Sequence, residues 1–382
     1  MLWTNPYQRG GNLRIKRSIT LLALPAVVAA ATLGATTSNA VAGTSLTGAG
    51  SSLVAPFVEN VFDPDFQSKY GVSVTYGSVG SGQGVTDISG KSVDFGASDA
   101  PLTSAQVTGC TGCIEIPWVL SATGLDYNLS GVSHLNLTGP VIAEIFLGDI
   151  TMWNDPAITA LNKGETLPAE KITPVWRNDA SGDTDVFTTY LSKVSPDWAS
   201  KVGSGTSVSY PVGTGAHGNS GVAQVVASTA GAIGNNSWFY IREAGLKAVA
   251  IANGAGNYEY PYEPNLVAAA ALLKSVPALS GLSASNATTY ATDLSLVDPA
   301  YSKPKKGAKP TETQKQEAVA YPLATFSYVI VRPDDANIST LKQYIAFALT
   351  PAEQAKGIGG SLQFAPLPAA IAKADNTAVS SL

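Results

Sequence analysis

Three short segments far apart in this chain each present what an oxyanion needs. They are Gly48-Ala49-Gly50-Ser51-Ser52, Gly80-Ser81-Gly82-Gln83-Gly84 and Arg177-Asn178-Asp179-Ala180-Ser181-Gly182-Asp183-Thr184. Each pairs small, backbone-exposing residues with hydroxyls, and each precedes a stretch that can be helical. Main-chain N–H groups at a helix start point at a bound anion, and the helix dipole adds about half a positive charge. Arg177 is the one cation in the set, and a guanidinium makes bidentate bonds to a tetrahedral oxyanion. Asp179, two residues on, can pair with it and hold it. A fourth segment, Asp94-Phe95-Gly96-Ala97-Ser98-Asp99-Ala100-Pro101, supplies a carboxylate. A carboxylate beside an anion is repulsive unless the anion carries a proton. Asp99 therefore selects a protonated oxyanion such as phosphate over sulfate or molybdate. The set suits holding an anion, not transforming it.

Each residue also has a plainer reading. Ser52 and Ser81 fit helix caps, as does Asp99 ahead of Ala100 and Pro101. Arg177 and Asp179 fit a surface ion pair worth under about 1 kcal/mol.

The elements that must position these residues alternate between strand and helix character. Val72–Tyr76 and Val93–Gly96 read as strands, with a short helix over Gly84–Ser89 between them. Ile114–Val119 and Gly124–Tyr127 are apolar and β-rich. Val141–Phe146 has helical spacing and ends at Gly148; Asp155-Pro156 opens another helix. Ile172–Trp176 is a strand running directly into Arg177, followed by helices over Asp185–Lys193 and Asn219–Ala227. Ala324–Val331 alternates as a strand and Ile338–Ala348 is an amphipathic helix. This rhythm predicts parallel sheets with helices on both faces. Ligands in such sheets sit beyond the carboxyl ends of strands. Lys303–Pro310 reads as a basic, proline-punctuated solvated loop, a docking role being the alternative.

Residues 1–40 read as a cleaved export leader. Arg9, Arg14, Lys16 and Arg17 precede an apolar run, Ile19–Ala35, and small-residue cleavage sites follow at Ser38-Asn39-Ala40 and Val41-Ala42-Gly43. No cysteine near that region indicates a lipid anchor. The sequence predicts an exported protein, periplasmic, extracellular or at the cell surface. Removing the leader takes away four basic residues and no acidic ones, so the formal charge of −5 becomes −9. Such a chain does not draw nucleic acid through bulk charge. An anion site here must work through local dipoles and hydrogen bonds. Only two cysteines occur, Cys110 and Cys113. In an exported protein they are expected to form a short structural disulfide, two free thiols being the alternative.

The same segments resemble the phosphate-binding proteins of ABC-type phosphate uptake. The resemblance runs in order through Leu46–Ser52, Gly80–Gly82, Val93–Leu102 and Ser181-Gly182 with Val186-Phe187-Thr188. It includes Phe146–Ile150 with Trp153-Asn154-Asp155, Gly218-Asn219-Ser220-Gly221-Val222 and Gly231–Gly234. It implies a type II periplasmic-binding-protein-like α/β fold. Two domains, 44–122 with 323–382 and 123–322, are joined by crossing hinge strands. Phosphate is expected in the cleft, bound by Ser52, Leu53 (backbone), Ser81, Asp99, Arg177, Ser181, Gly182 and Asp183, with Asp179 supporting. Two positions depart from the family pattern. Leu53 stands where phenylalanine is usual, and Asp183 replaces a hydroxyl donor and offers a second proton acceptor. The resemblance further implies a monomer that delivers phosphate to a membrane permease, without cofactor or metal.

A phosphate-ester hydrolase needs a metal cluster, or a nucleophile with a general acid. Neither His134 nor His217 lies beside the set, and Ser81 and Ser181 have no visible base. A binder of another oxyanion, such as sulfate or molybdate, is the nearer alternative, against which Asp99 argues; a secreted or surface phosphate scavenger without a transporter partner is a third.

Overall fold

The computed structural model describes residues 45–382, except 280, 299–300, 359–361 and 363. The leader expected at 1–40 lies outside the described residues. The chain enters through β1 (Ser45–Gly50) and turns at Ser51–Val54. It then runs helically from Ala55, through a π turn at Val58–Phe62, into α1 (Asp63–Tyr70). β2 (Ser73–Ser78), α2 (Ser81–Ser89) and β3 (Phe95–Ser98) follow. β1 lies between β2 and β3, parallel to both. Helix α2 begins at Ser81, not at Gly84. Gly84 belongs to the helix because only hydrogen fits there: a Cβ would stand 2.4 Å from the Cα of Gly50. That contact lets α2 press against β1.

α3 (Ser104–Gly109) is capped by a reciprocal box of Thr103 and Gln106. It ends at the Cys110–Cys113 disulfide. β4 (Ile114–Tyr127) then runs for 14 residues, nearly all buried. The two apolar segments read separately from sequence are one strand, because Leu120–Thr123 between them contains no breaker. After α4 (Gly139–Leu147), closed by Gly148 in the left-handed conformation, Asp155 caps a short helix, Pro156–Leu161. The second half repeats the first in outline. It comprises β5 (Thr173–Arg177), α5 (Gly182–Val194), β6 (Thr214–Ala216), α6 (Gly218–Ser228) and β7 (Ala232–Ser237). β5 lies between β6 and β7, parallel to both. The chain returns through β8 (Ala324–Val331) and closes with α7 (Ile338–Ala348) and α8 (Ala369–Ser381). Lys303–Pro310 is a largely exposed coil.

The expectation of parallel sheets holds for β1–β3 and for β5–β7 but fails where β4 and β8 enter, since both run antiparallel to their neighbours within the halves. β8 is antiparallel to both β3 and β4, and β4 is antiparallel to β7. The reason is connectivity. The chain crosses from one half to the other along β4 and comes back along β8, so the two runs oppose each other. β4 pairs with β8 through Ala122 and with β7 from Thr123 onward. One strand thus carries the order of both halves, and the two sets of loops at the carboxyl ends of β1–β3 and β5–β6 face each other.

The core beneath the first loops is aromatic: Phe57, Phe62, Phe66, Phe95, Trp118 and Tyr344 are all buried and in ring contact. Each large side chain contributes about 1.5–3 kcal/mol by burial. That rigidity is what fixes the loops above them.

Candidate functional site

One wall comes from the ends of β1, β2 and β3. Ser51 sits where β1 ends, and its Oγ accepts from the backbone N–H of Leu53 (3.1 Å) and Val54 (3.2 Å). Its own proton goes to Asp99 Oδ2 at 2.5 Å. Ser81, the first residue of α2, donates to the same oxygen at 3.3 Å. Asp99 is not a helix cap, since Thr103 takes that role. It lies 1% exposed beyond β3, its Oδ2 fed by two hydroxyls and its Oδ1 buried without a well-formed hydrogen bond.

The other wall comes from the ends of β5 and β6. Arg177 closes β5 with its guanidinium buried. Its Nε donates to Asp179 Oδ1 at 2.7 Å, a second nitrogen pairs with Asp179 Oδ2, and Nη1 meets Asp183 Oδ2 at 3.2 Å. Asp179 also accepts from the N–H of Gly218, which ties the β5 loop to the start of α6. Asp183 lies in the first turn of α5. Its Oδ2 takes a second donor, Asn219 Nδ2, at 2.8 Å, and its Oδ1 is buried without a well-formed hydrogen bond.

The two walls touch. Gly182 N–H donates to Ser81 Oγ (3.1 Å), Gly82 N–H to the Ala180 carbonyl (3.0 Å) and Asn219 Nδ2 to Ser52 Oγ (3.0 Å). Glycine is required at 182 by this approach, because a Cβ would lie 2.6 Å from that of Asp99 and 2.8 Å from Ser81 Oγ.

Burial dominates the electrostatics. It pushes the Asp99 carboxyl up to about 7, with the charge of Asp183 adding to the rise; the Ser51 and Ser327 hydroxyls and Arg177 oppose it. Asp183 is also raised by burial, against the pull of Arg177, Asn219 and Thr123. Burial works against the charge on Arg177, but Asp179, Asp183 and Asp99 outweigh it and hold the guanidinium protonated. Burial acts to raise Asp179, but Arg177 together with the N–H of Gly218 outweighs it and holds this carboxyl below its ordinary value, so it stays ionised. One fixed cation therefore faces two carboxyls that easily share or accept protons, a donor and acceptor set suited to a protonated tetrahedral anion.

The structure brings together all eight residues read from sequence, together with Asp179, but not every atom. The Ser181 backbone N–H donates to the Thr206 carbonyl (2.9 Å) and leaves only its buried hydroxyl toward the site. The Leu53 N–H lies on Ser51 Oγ. Sequence reasoning passed over Ser51 and Asn219. Ser51 stood inside the first glycine-serine segment, and Asn219 inside Gly218–Val222, so both were visible as motif members without a role. Thr123 and Ser327, on the crossing strands, had no local signal.

A family model for the PBP superfamily domain matches residues 34–352. The chain is 33% identical to the phosphate-binding protein PstS of Xylella fastidiosa (strain 9a5c) over 331 residues, 86% of this chain and 83% of that one. It is 32% identical to the phosphate-binding protein PstS of Haemophilus influenzae over 327 residues, 85% of this chain and 89% of the relative. Among solved structures it is similar to a phosphate-binding protein from Stenotrophomonas maltophilia, with a TM-score of 0.62, 17% identity, and 88% and 94% of the two chains covered. A high-affinity periplasmic phosphate-binding protein bound with phosphate gives a TM-score of 0.64 at 18% identity, covering 89% and 94%. At such identity the structural likeness speaks for the two-domain binding-protein fold alone. Sequence kinship over most of both chains carries the rest: this chain belongs to the PstS family of phosphate-binding proteins, within the PBP superfamily.

Proposed function

We infer that this protein captures inorganic phosphate between its two halves and delivers it to the membrane permease of an ABC transporter. The observation that carries the reading is the pairing of Asp99 and Asp183. Each has one oxygen fed by two donors and one buried without a well-formed bond, one on each wall of the cleft. Phosphate offers protons to both oxygens and charge to the guanidinium. Sulfate, fully ionised, would press lone pairs against two carboxylates. Ser52 and the hydroxyl of Ser181 supply donors, with the hydroxyl of Ser81 and the N–H groups of Leu53 and Gly182 exchanging their internal partners for the anion. Because both carboxyls accept, the favoured species is the doubly protonated monoanion.

The same reading assigns the hinge. The domains are 44–122 with 323–382 and 123–322, since β4 changes partner between Ala122 and Thr123. Phosphate touches both halves and so stabilises the closed form by its differential contacts with that state. The protein is an exported monomer that acts as a binder and not as an enzyme. Its relatives carry the name of binding proteins.

Calorimetric titration of residues 41–382 with phosphate and with sulfate, at pH 5.5 and pH 8.5, tests the reading. The expected result is tight phosphate binding, no sulfate binding and weaker phosphate affinity at pH 8.5. Equal or tighter binding at the higher pH removes the role of the second carboxyl. Binding of both anions, or of neither, overturns the assignment of the ligand.

A further inference from the structure

Behind the proposed anion contacts stands one fully buried amide, Asn219, at the start of α6. Its orientation is set by its surroundings and not by convention. Oδ1 accepts the backbone N–H of Ser237, at the end of β7, at 3.0 Å. Turning the amide over would set its NH2 against that N–H and its oxygen against the Asp183 carboxylate. Nδ2 therefore faces Asp183 Oδ2 (2.8 Å) and Ser52 Oγ (3.0 Å), one proton for each.

Both bonds have consequences for atoms that Asn219 does not itself offer to a ligand. A hydroxyl has one proton and two lone pairs. Ser52 Oγ, already accepting from Asn219, keeps its proton for another acceptor. Asp183 Oδ2, already taken by Asn219 and Arg177 Nη1, cannot serve as the acceptor for the ligand, so that task falls to Oδ1. Asn219 and Asp183 belong to one half and Ser52 to the other, so the amide also forms one of the three bonds between the walls named above.

We propose that Asn219 is a positioning residue that polarises the site: it turns Ser52 into an obligate donor and Asp183 Oδ1 into an obligate acceptor, and so helps set the preference for a protonated anion. The proposal rests on the phosphate reading above. The charged and titratable groups around the amide are Asp183, Arg177 and Asp179 on its own side and Asp99 across the cleft. Tyr240 lies within electrostatic reach of Asp183 and Arg177. His217, two residues earlier, is exposed ahead of the helix.

Asn219→Asp is the sharp test because it keeps the shape and the acceptor for Ser237. It places a carboxylate oxygen where the two donor protons were. Ser52 must then give its proton to the new carboxylate, and Asp183 faces a like charge. Phosphate affinity, titrated calorimetrically in wild type, Asn219→Asp and Asn219→Ala, should fall at least about 30-fold at pH 8 in both variants. At pH 5.5 the Asn219→Asp protein should recover to within about fivefold of wild type, because its protonated carboxyl donates one of the two lost hydrogen bonds and no longer repels Asp183, whereas Asn219→Ala should not recover. A purely structural role would give two variants whose deficits are independent of pH. Wild-type affinity in Asn219→Asp at pH 8, or parallel pH profiles in the two variants, overturns the proposal while leaving phosphate binding intact. A wild-type protein that fails to bind phosphate overturns the underlying reading instead, and the proposal with it. Should neither variant fold, proton exchange of the Asn219 side-chain amide in nitrogen-labelled wild-type protein decides the matter. Both amide protons must exchange slowly in the phosphate complex; rapid exchange of either overturns the proposal.

Discussion

The two walls of the cleft are built alike and charged differently. In each, parallel strands end in glycine-serine turns that lead into helices α2, α5 and α6. The first wall contains Asp99, whose Oδ2 accepts from the hydroxyls of Ser51 and Ser81. The second contains Arg177 held between Asp179 and Asp183. On the proposed reading the first wall senses protons and the second supplies charge. Neither is sufficient alone: hydroxyls around a carboxyl do not hold an anion, and an arginine flanked by two aspartates is neutralised twice over until one of them takes up a proton or a protonated ligand. The division of labour explains how a chain of negative net charge binds an anion without a long-range field.

The largest expected effect breaks the charged wall. Arg177→Met removes the guanidinium and leaves Asp179 and Asp183 without their partner. Phosphate affinity should fall by about 100- to 1,000-fold or more, as for truncation of one member of a buried charge pair. Calorimetry reads it, with a thermal melt as the check on folding. A fall below tenfold would mean that the second wall binds through its backbone and hydroxyls alone.

Breaking the proton-sensing wall is predicted to cost less and to change selectivity. Asp99→Asn should weaken phosphate by about 10- to 100-fold and make sulfate binding measurable, since an amide can donate where the carboxylate only accepts. If sulfate remains excluded, Asp183 alone enforces the selection and the walls are not divided as argued.

A third change touches neither charge. Gly182→Ala would place a methyl group within 3 Å of Asp99 and Ser81 Oγ, both fully buried. The walls must then stand further apart, and affinity should fall about tenfold with selectivity between phosphate and sulfate unchanged. A loss of selectivity here would show that spacing, and not the carboxyl pair, is what excludes sulfate.

How far the walls were legible in sequence follows the same division. Most of the second wall lies close together, from Arg177 to Asp183, and the strand running into Arg177 is visible in Ile172–Trp176; that grouping was readable because one run of seven residues imposes it, whereas Asn219 comes from the next loop. The first wall is assembled from three loops, grouped in sequence by their shared oxyanion chemistry and then by family resemblance; no local rule brings Ser51 to Asp99, 48 positions away. Helix starts were placed late at α2, α5 and α6 because glycine and serine depress helix propensity where the anion-facing turn needs them. The antiparallel crossing of β4 and β8 was missed because strand direction depends on where the chain returns, which periodicity does not encode.

The smallest effect separates these functional carboxyls from the buried carboxyls elsewhere. Asp375 on α8 lies fully buried with neither oxygen in a well-formed hydrogen bond, and burial pushes it up to about 9. Glu115 on β4 is raised by burial to about 8, against the Leu102 N–H that it accepts. Asp126 is raised by burial to about 7, although Asn236 donates to it. All exceed their unfolded values, so the folded chain binds more protons than the unfolded one between about pH 4 and pH 9. Stability must then fall as pH rises through that window and be fully recovered below it. Asp179, whose carboxyl is lowered, has the opposite dependence, but its contribution is lost only in acid below its ordinary value. Without phosphate, the melting temperature should therefore be several degrees higher at pH 5 than at pH 8. Asp375→Asn should narrow that gap, because it deletes the group with the widest window, while leaving phosphate affinity unchanged. An unchanged gap would mean that Asp375 is hydrated or paired in solution. A widened one would mean that its burial carries no cost, and the contrast between a carboxyl kept for a ligand and one merely enclosed would fail.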